Sequence, residues 1–168
     1  TTKFGSVKTV SWSSLSLTYP VDGWEVWAVG VDRTEAHRDE QVLELLAEVN
    51  SRLLQREGIE AIHPFICRRV AGIFHLALVS IGQRQPDGRV RMSGIAGPNA
   101  AGASAHEIRW DVPSPEGGIT GAAIRTGAVQ RAEAEADSSF GSAWRNRAAG
   151  REIGASLALP LSARGVVL

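Results

Sequence analysis

The sequence predicts a mixed α+β fold in which antiparallel β-hairpins alternate with amphipathic helices. Tight-turn sequences such as Gln85–Gly88 separate strand-like segments, whereas two longer segments carry apolar residues at helical spacing. The chain has 168 residues, with 18 Lys+Arg and 18 Asp+Glu, a length that suits one domain and part of a second. Because the formal net charge is zero, no field would attract nucleic acid or an anionic membrane, and we expect neither as a partner.

Cysteine and methionine usage indicates the compartment and the origin of the chain. The single cysteine, Cys67, cannot form an internal disulfide or a thiolate metal cage. The single methionine is Met92, so we expect a segment cut from a longer protein. No apolar run approaches the roughly 18 residues of a membrane-spanning helix. We therefore expect a cytoplasmic location.

The first part of the chain predicts a β-hairpin followed by a long helix. Residues 7–18 and 24–32 have strand character, with a bulge expected near Ser13, and the sequence between them has turn chemistry. The side-chain oxygens of Asp32 and Thr34 then precede a helical pattern over residues 35–57.

This helix contains a short apolar seam at coiled-coil spacing. The seam, in steps of four, three and four residues, comprises Val42, Leu46, Val49 and Leu53. It spans two heptads, fewer than the three or four that identify a coiled coil. An amphipathic helix packed on its own domain and a dimerising helix both fit this pattern, and the two interpretations are compatible.

The remaining sequence predicts alternating short helices and strands. Gly58 is expected to end the long helix, and an apolar segment over residues 73–81 predicts a central strand covered on both sides. The other predicted helices cover residues 59–71, 118–126 and 140–149. The other predicted strands cover residues 89–96, 107–112, 128–134 and 153–161, and a turn at 162–165 leads into a final strand.

Familiar catalytic and metal-binding patterns are incomplete. Gly97–Ser104 has the glycine spacing of a phosphate-binding loop, but Ala103 occupies the lysine position. Ser156 lies inside a predicted strand rather than on a nucleophile elbow. The four histidines never occur at metal-ligand spacing, and Cys67 lies at an apolar helical position typical of a buried side chain. We expect no catalytic and no metal site in this segment.

The second part of the chain resembles a GAF domain of the type found in bacterial cyclic-di-GMP signalling proteins and sensor kinases. The resemblance rests on the glycine pair and the helix ending in Arg-Thr-Gly within Pro115–Val129, on Asp137–Phe140 with Trp144, and on the strand Ile153–Leu161 ending in Pro-Leu. Phe65–Arg69 and Phe74–Ala77 also match the positions of that family's first helix and first strand.

The beginning of the chain resembles the end of a PAS domain. Ser11–Ser13, the turn at Asp22–Gly23 and the segment Val29–Glu35 are similar to that family's closing strands and its Asp-x-Thr-Glu element. Arg33 replaces the usual apolar residue, which leaves the capping oxygens of Asp32 and Thr34 in place. The resemblance implies three parts: the last strands of a PAS-like domain at 1–34, a signalling helix at 35–57, and a C-terminally truncated GAF domain at 58–168.

The GAF resemblance implies an antiparallel sheet with helices on both sides and a small-ligand pocket. The pocket residues that it implies are Phe74, His75, Trp110, Ile124, Phe140 and Trp144. No cofactor is required by the sequence. Haem or bilin attachment would depend on His75 or Cys67, and neither lies in the family's customary attachment pattern.

The expected function is that of a sensory module. A small ligand in the GAF pocket would be sensed, and a homodimer formed through the helix that carries Asp32, Thr34 and the seam would relay its state. The output domain, a diguanylate cyclase, phosphodiesterase or histidine kinase, would lie outside this chain. The alternative is a ligand-free GAF domain that acts as a dimerisation and spacing module. We expect no enzymatic activity from the segment itself: methionine sulfoxide reduction by GAF-like domains requires several cysteines, and this chain has one.

Overall fold

A computed structural model describes residues 7–101, 108–112, 117–133 and 153–168. Within these residues the fold is mixed α+β, with three helices and antiparallel strand pairs, as the sequence predicts. The chain divides into two compact units between Ser51 and Arg52. No helix in the described residues is long and apolar enough to cross a membrane.

The first unit begins with the predicted hairpin. Strand β1 (Val10–Ser14) pairs antiparallel with β2 (Ala28–Asp32), in a regular register from Val10 opposite Asp32 to Ser14 opposite Ala28. The bulge expected near Ser13 is therefore wrong, and both strands are shorter than predicted. The indole of Trp12 lies over Gly30, where a Cβ would be 2.9 Å from the ring.

Helix α1 (Thr34–Leu54) follows directly, and its C-terminal end corrects the sequence interpretation. The Glu57 amide donates to the Arg52 carbonyl at 3.1 Å and the Arg56 amide to that of Leu53 at 3.0 Å. Arg56 is in the left-handed conformation, with φ +58°. This is a Schellman motif, so the helix ends before Gly58, which instead caps the N-terminus of the next helix.

The second unit contains the larger packed part of the described chain. Helix α2 (Ile59–Phe74) packs on a sheet of β3 (Val79–Arg84), β4 (Arg89–Ala96) and β5 (Ile108–Arg109), in the order β3-β4-β5. One core cluster of this unit is formed by the small side chains of Cys67, Ala71 and Ala96, with Val79 and Ile81 packed against them. Strand β4 has the predicted bounds.

The predicted strand at 73–81 is wrong at its beginning and in its place in the sheet. Ile73 and Phe74 form the last turn of α2, where Ile73 is 4% exposed. A short alternating apolar run fits a helix as well as a strand. Here the helix continues through Ile73 and Phe74 to the left-handed cap at His75. In the described sheet β3 is an edge strand, and β4 is central.

A second small core lies further along the chain. Helix α3 (Gly118–Thr126) has the predicted bounds and ends at Gly127, with φ +64°. Ile119 and Ala132 are buried between α3 and the pair of β6 (Gln130–Glu133) and β7 (Ala155–Ala158). The chain ends with a tight hairpin of β8 (Ser162–Ala163) and β9 (Val166–Val167). The helix predicted at 140–149 lies outside the described residues.

Candidate functional site

The junction between β2 and α1 is the most densely hydrogen-bonded polar cluster of the first unit. Asp32 Oδ1 accepts from the Thr34 amide at 3.0 Å and from the Thr34 hydroxyl at 2.5 Å, while Asp32 Oδ2 accepts from Lys8 Nζ at 2.7 Å. The Thr34 hydroxyl in turn accepts from the Thr9 amide at 3.0 Å, and the Arg33 amide donates to the Thr9 carbonyl at 2.8 Å. One carboxylate therefore caps the helix and holds the segment that leads into β1.

Charge-assisted bonding dominates the electrostatics of this junction. The bonds from Lys8 and then from Thr34 hold the pKa of Asp32 far below its ordinary value. The carboxylate therefore remains ionised at any physiological pH. An open depression of about 680 Å³ adjoins it, lined by Val7, Lys8, Asp32, Thr34, Glu35, Ala36 and Arg38.

The predicted seam on α1 keeps accessible surface at each of its positions. Leu46 is 54% and Leu53 is 53% exposed, while Val42 and Val49 are half-buried. Leu45, which the seam does not include, is the buried residue of the helix at 7% exposure. Val42 and Val49 lie three and four residues from Leu45, on the same side of the helix. The half-buried part of the seam therefore adjoins the buried residue, and only Leu46 and Leu53 leave most of their surface open.

Trp110, a pocket candidate within the described residues, is held firmly by its own chain. Its indole Nε1 donates to the Gln85 carbonyl at 2.9 Å, and its amide donates to the Gly88 carbonyl at 2.9 Å. The guanidinium of Arg84 lies 5.6 Å from the ring centroid, within the range of a cation–π contact. Trp110 thus fixes the β3–β4 turn against the segment after β5.

The Arg-Thr-Gly element that carries the GAF resemblance has a defined structural role at the end of α3. Arg125 Nη1 donates to the carbonyls of Trp110, at 2.9 Å, and of Val112. The Thr126 hydroxyl donates to the Ala122 carbonyl at 2.9 Å. Gly121 has no room for a side chain, because a Cβ would lie 2.6 Å from the Arg109 carbonyl oxygen. The two bonds from Arg125, called the Arg125 clamp below, join the segment of Trp110 to α3, the helix that carries the half-buried Ile124.

Phe74 and His75 lie elsewhere than the sequence predicts. They end α2 instead of lying on a strand: Phe74 is 42% exposed, and His75 adopts the left-handed conformation with φ +52°. The Leu76 amide donates to the Ala71 carbonyl at 3.0 Å, so His75 occupies the position that glycine usually takes. Phe140 and Trp144 lie outside the described residues.

Two features near the α2–β4 contact involve groups that also occur in catalytic sites: the His63–Ser93 pair and the thiol of Cys67. His63 Nδ1 lies 2.7 Å from Ser93 Oγ, but that hydroxyl donates to the Ile81 carbonyl at 3.2 Å. The direction of the bond between His63 and Ser93 depends on the imidazole tautomer, so the pair by itself assigns neither a base nor a nucleophile. Cys67 is fully buried, and burial raises the pKa of its thiol. No group of three or more potential metal ligands occurs in the described ranges.

Sequence reasoning missed the His63–Ser93 bond and the Arg125 clamp. The two partners of the first are 30 residues apart, and the clamp ends on backbone carbonyls that have no residue-specific signal. Comparison with protein-family models finds no family that matches the chain, and comparisons with curated proteins and with solved structures find no match either.

Proposed function

We propose that this chain is the sensory segment of a bacterial signal-transduction protein. A GAF-like domain at residues 58–168 binds a small ligand, and the signalling helix α1 (Thr34–Leu54) dimerises and relays the state of the segment. The output domain, a diguanylate cyclase, phosphodiesterase or histidine kinase, lies outside this chain. The segment itself transmits a conformational change and has no catalytic role.

The observation that carries this proposal is the Asp32 junction. Asp32 is bonded to Lys8 on one side and to both polar groups of Thr34 on the other. Because these bonds share one carboxylate, a shift of the segment before β1 changes the capping of α1. The hairpin and the start of the helix are thereby coupled through a single side chain.

The exposed seam supplies the second half of the relay. Leu46 and Leu53 are more than half exposed in the chain by itself, and pairing with a second copy would remove this apolar surface from water. A ligand shifts such a paired element only as far as its affinities for the two states differ. The strength of the signal is therefore bounded by that difference in affinity.

Amide hydrogen exchange on the purified chain tests the coupling. In Asp32→Ala we expect faster exchange at residues 34–38, where the cap is lost, and also at Thr9, whose amide donates to Thr34. Ser14→Ala is the matched control, because Ser14 lies at the far end of the same hairpin, on β1, and its hydroxyl contacts only Ser16 at 3.3 Å among the described partners. Unchanged exchange at Thr9 in Asp32→Ala would remove the junction from the mechanism.

The alternative function, a ligand-free dimerisation and spacing module, is favoured by the fixation of Trp110. An indole that bonds to its own chain and stacks with Arg84 fills space without a ligand. Native mass spectrometry of the purified protein separates the two functions. A mass excess that disappears on denaturation supports the sensor, and a chain mass without excess, together with dimers, supports the spacer. A visible absorption band would identify haem or bilin.

A further inference from the structure

An open depression adjoins the end of β3 in the second unit. Its volume is about 430 Å³, which lies within the roughly 300–1,000 Å³ of small-molecule sites. The residues that line it are Gln83, Arg84, Gln85, Val166, Val167 and Leu168. The depression therefore has a polar wall from the end of β3 and an apolar wall from the segment that contains β9.

The apolar wall lies against the end of α3. Val167 is half-buried, and its Cγ2 lies 3.9 Å from the position that a Cβ would take on Gly127. The Leu168 amide donates to the Leu161 carbonyl at 2.8 Å, which closes the terminal hairpin. Val166 and Leu168 are exposed, so this wall keeps apolar surface that a hydrocarbon group can cover.

The polar wall carries a cation that is supported by an aromatic ring. The guanidinium of Arg84 lies 5.6 Å from the centroid of the Trp110 ring, which is itself fixed by its bond to the Gln85 carbonyl. Within the described part of the chain, the Arg84 guanidinium has no hydrogen bond or ion pair. A planar guanidinium that stacks on a ring keeps its N–H groups for an acceptor in its own plane.

The charges around the polar wall favour an anion. Two carboxylates are close to it in sequence, and each is paired with an arginine. Arg89 Nε lies 3.6 Å from Asp87 Oδ2, and Arg109 Nη2 lies 2.6 Å from Asp111 Oδ2. The six lining residues include no carboxylate, and Arg84 is their one charged side chain. The local charge at the depression is therefore positive.

Gln83 adds neutral donors to the same wall. Its Oε1 accepts from Arg91 Nη2 at 2.7 Å. This bond uses the acceptor of the amide and so leaves its N–H groups to donate. The polar wall thus presents donors, whereas the opposite wall presents hydrocarbon.

We propose that this depression binds a small monocarboxylate with an apolar body, and that Arg84 receives the carboxylate. The inference rests on the proposed function and names the site and the chemical class of its ligand. A carboxylate presents two oxygens in one plane, which matches the guanidinium fork. The hydrocarbon part lies on Val166 and Leu168, where its burial removes apolar surface from water. An inorganic phosphate would leave that wall uncovered.

Titration of the purified chain with hexanoate, followed by ¹H–¹⁵N NMR, tests the site. We expect the amide signals of residues 83–85 and 166–168 and the indole signal of Trp110 to shift along one saturating curve. Hexanol has the same body without the charge, and inorganic phosphate has charge without the body, so both should shift these signals much less at equal concentration. Equal shifts with phosphate and hexanoate would overturn the carboxylate assignment.

Substitutions separate the charge, the fork and the apolar wall. Arg84→Gln should raise the Kd for hexanoate by at least about tenfold, because a charge-assisted pair is lost. Arg84→Lys keeps the charge without the fork and should recover only part of the affinity. Leu168→Ala should raise the Kd about three- to tenfold through lost apolar contact. An unchanged Kd in Arg84→Gln would contradict the inference.

Arg89→Gln is the matched control for Arg84→Gln. It removes the same charge from the same hairpin, but Arg89 is not among the lining residues. It should leave the Kd within about twofold, because exposed charges interact weakly. Signals away from the depression should match those of the unmodified chain in every variant, which shows that each variant is folded. A loss of affinity in Arg89→Gln equal to that in Arg84→Gln would reduce the effect to net charge and overturn the assignment of Arg84.

The outcomes distinguish this inference from the proposed function. If the purified chain carries a bound mass and Arg84→Gln retains it, the sensor stands and the site assigned here is wrong. If hexanoate binds in the depression but leaves the dimer affinity unchanged, the site stands and the relay of the proposed function fails. Absence of shifts at residues 83–85 and 166–168 with hexanoate overturns the inference alone.

Discussion

The hairpin β1–β2 and the unit of α2, β3 and β4 are held together in different ways. Every residue of β1 and β2 is exposed, including Trp12 at 70% and Val31 at 56%. The α2–β4 contact buries Cys67 completely and leaves Ala96 7% exposed. The hairpin therefore depends on its backbone ladder and on the Asp32 junction, whereas the second unit has a core of its own.

This difference suggests what each region does. A two-stranded hairpin without a covered face is marginally stable in water, so small forces can move it. A helix packed closely on a sheet resists such movement. On this account the second unit behaves as a rigid body and the first as a coupling element.

The largest effect is expected at Gly94, where the backbone of α2 lies close to β4. A Cβ at this position would lie 2.7 Å from the His63 backbone and 3.0 Å from Cys67 Sγ. Gly94→Ala should therefore lower the free energy of unfolding by about 2–4 kcal/mol, because the helix must move away from the sheet.

Gly72→Ala is the matched control in chemical denaturation. Gly72 lies within α2 and a Cβ there would meet nothing within 4 Å. This substitution should raise the free energy of unfolding by about 0.5–1 kcal/mol through helix propensity. Equal effects of the two substitutions would show that the α2–β4 contact is not close.

The next largest effect is expected at the seam. Leu46→Asp and Val49→Asp place a charge in a surface that dimerisation would remove from water. Each substitution should therefore lower the dimer affinity by at least about 100-fold. Leu54→Asp is the control, because Leu54 is 85% exposed and lies outside the seam. Sedimentation velocity measures the dimer affinity. The free energy of unfolding of the second unit, which contains β3 and β4, should be unchanged in all three variants. A Leu54→Asp effect as large as that of Leu46→Asp would contradict the seam assignment.

A smaller gain is expected at the end of α1. Arg56 has a left-handed backbone, with φ +58°, a conformation that favours glycine. Arg56→Gly should raise the free energy of unfolding by about 0.5–1 kcal/mol. Arg56→Ala keeps a Cβ in the same conformation and should give no such gain in thermal or chemical denaturation. A larger gain from alanine would exclude relief of backbone strain as the cause.

The smallest effect is expected from acidification at the junction. Lys8 and Thr34 lower the pKa of Asp32 in the folded chain, so its contribution to stability is complete above the ordinary carboxyl pKa and is lost as the pH falls through the lowered value. The NMR shift of the Thr34 amide should stay constant down to about pH 4 and change only below it. Asp32→Asn should remove this titration. If the chemical shift of the Thr34 amide changes with a midpoint near pH 4 or above, the pKa of Asp32 is not lowered.

The sequence predicted those elements whose ends are marked by specific residues. Gly127 defined the end of α3, and the turn at 85–88 defined the start of β4, because glycine and proline fix local backbone geometry. The end of α1 was missed because Arg56 adopts a conformation that its residue type does not favour. The start of β3 was missed because Ile73 alternates like a strand residue but belongs to the last turn of α2.

The candidate sites were predictable only where the partners are close in sequence. Asp32 and Thr34 are two residues apart, so their capping bond could be anticipated. Trp110 bonds to Gln85, and Arg125 bonds to backbone carbonyls 13 and 15 residues away. Such contacts depend on tertiary packing and leave no local pattern.

The most direct test of the account is the oligomeric state of the unmodified chain in solution. Sedimentation equilibrium at tens of micromolar should show a dimer that dissociates on dilution, because Leu46 and Leu53 expose more than half of their surface in the single chain. A monomer at these concentrations would contradict the account, since α1 would then have no partner through which to relay a signal.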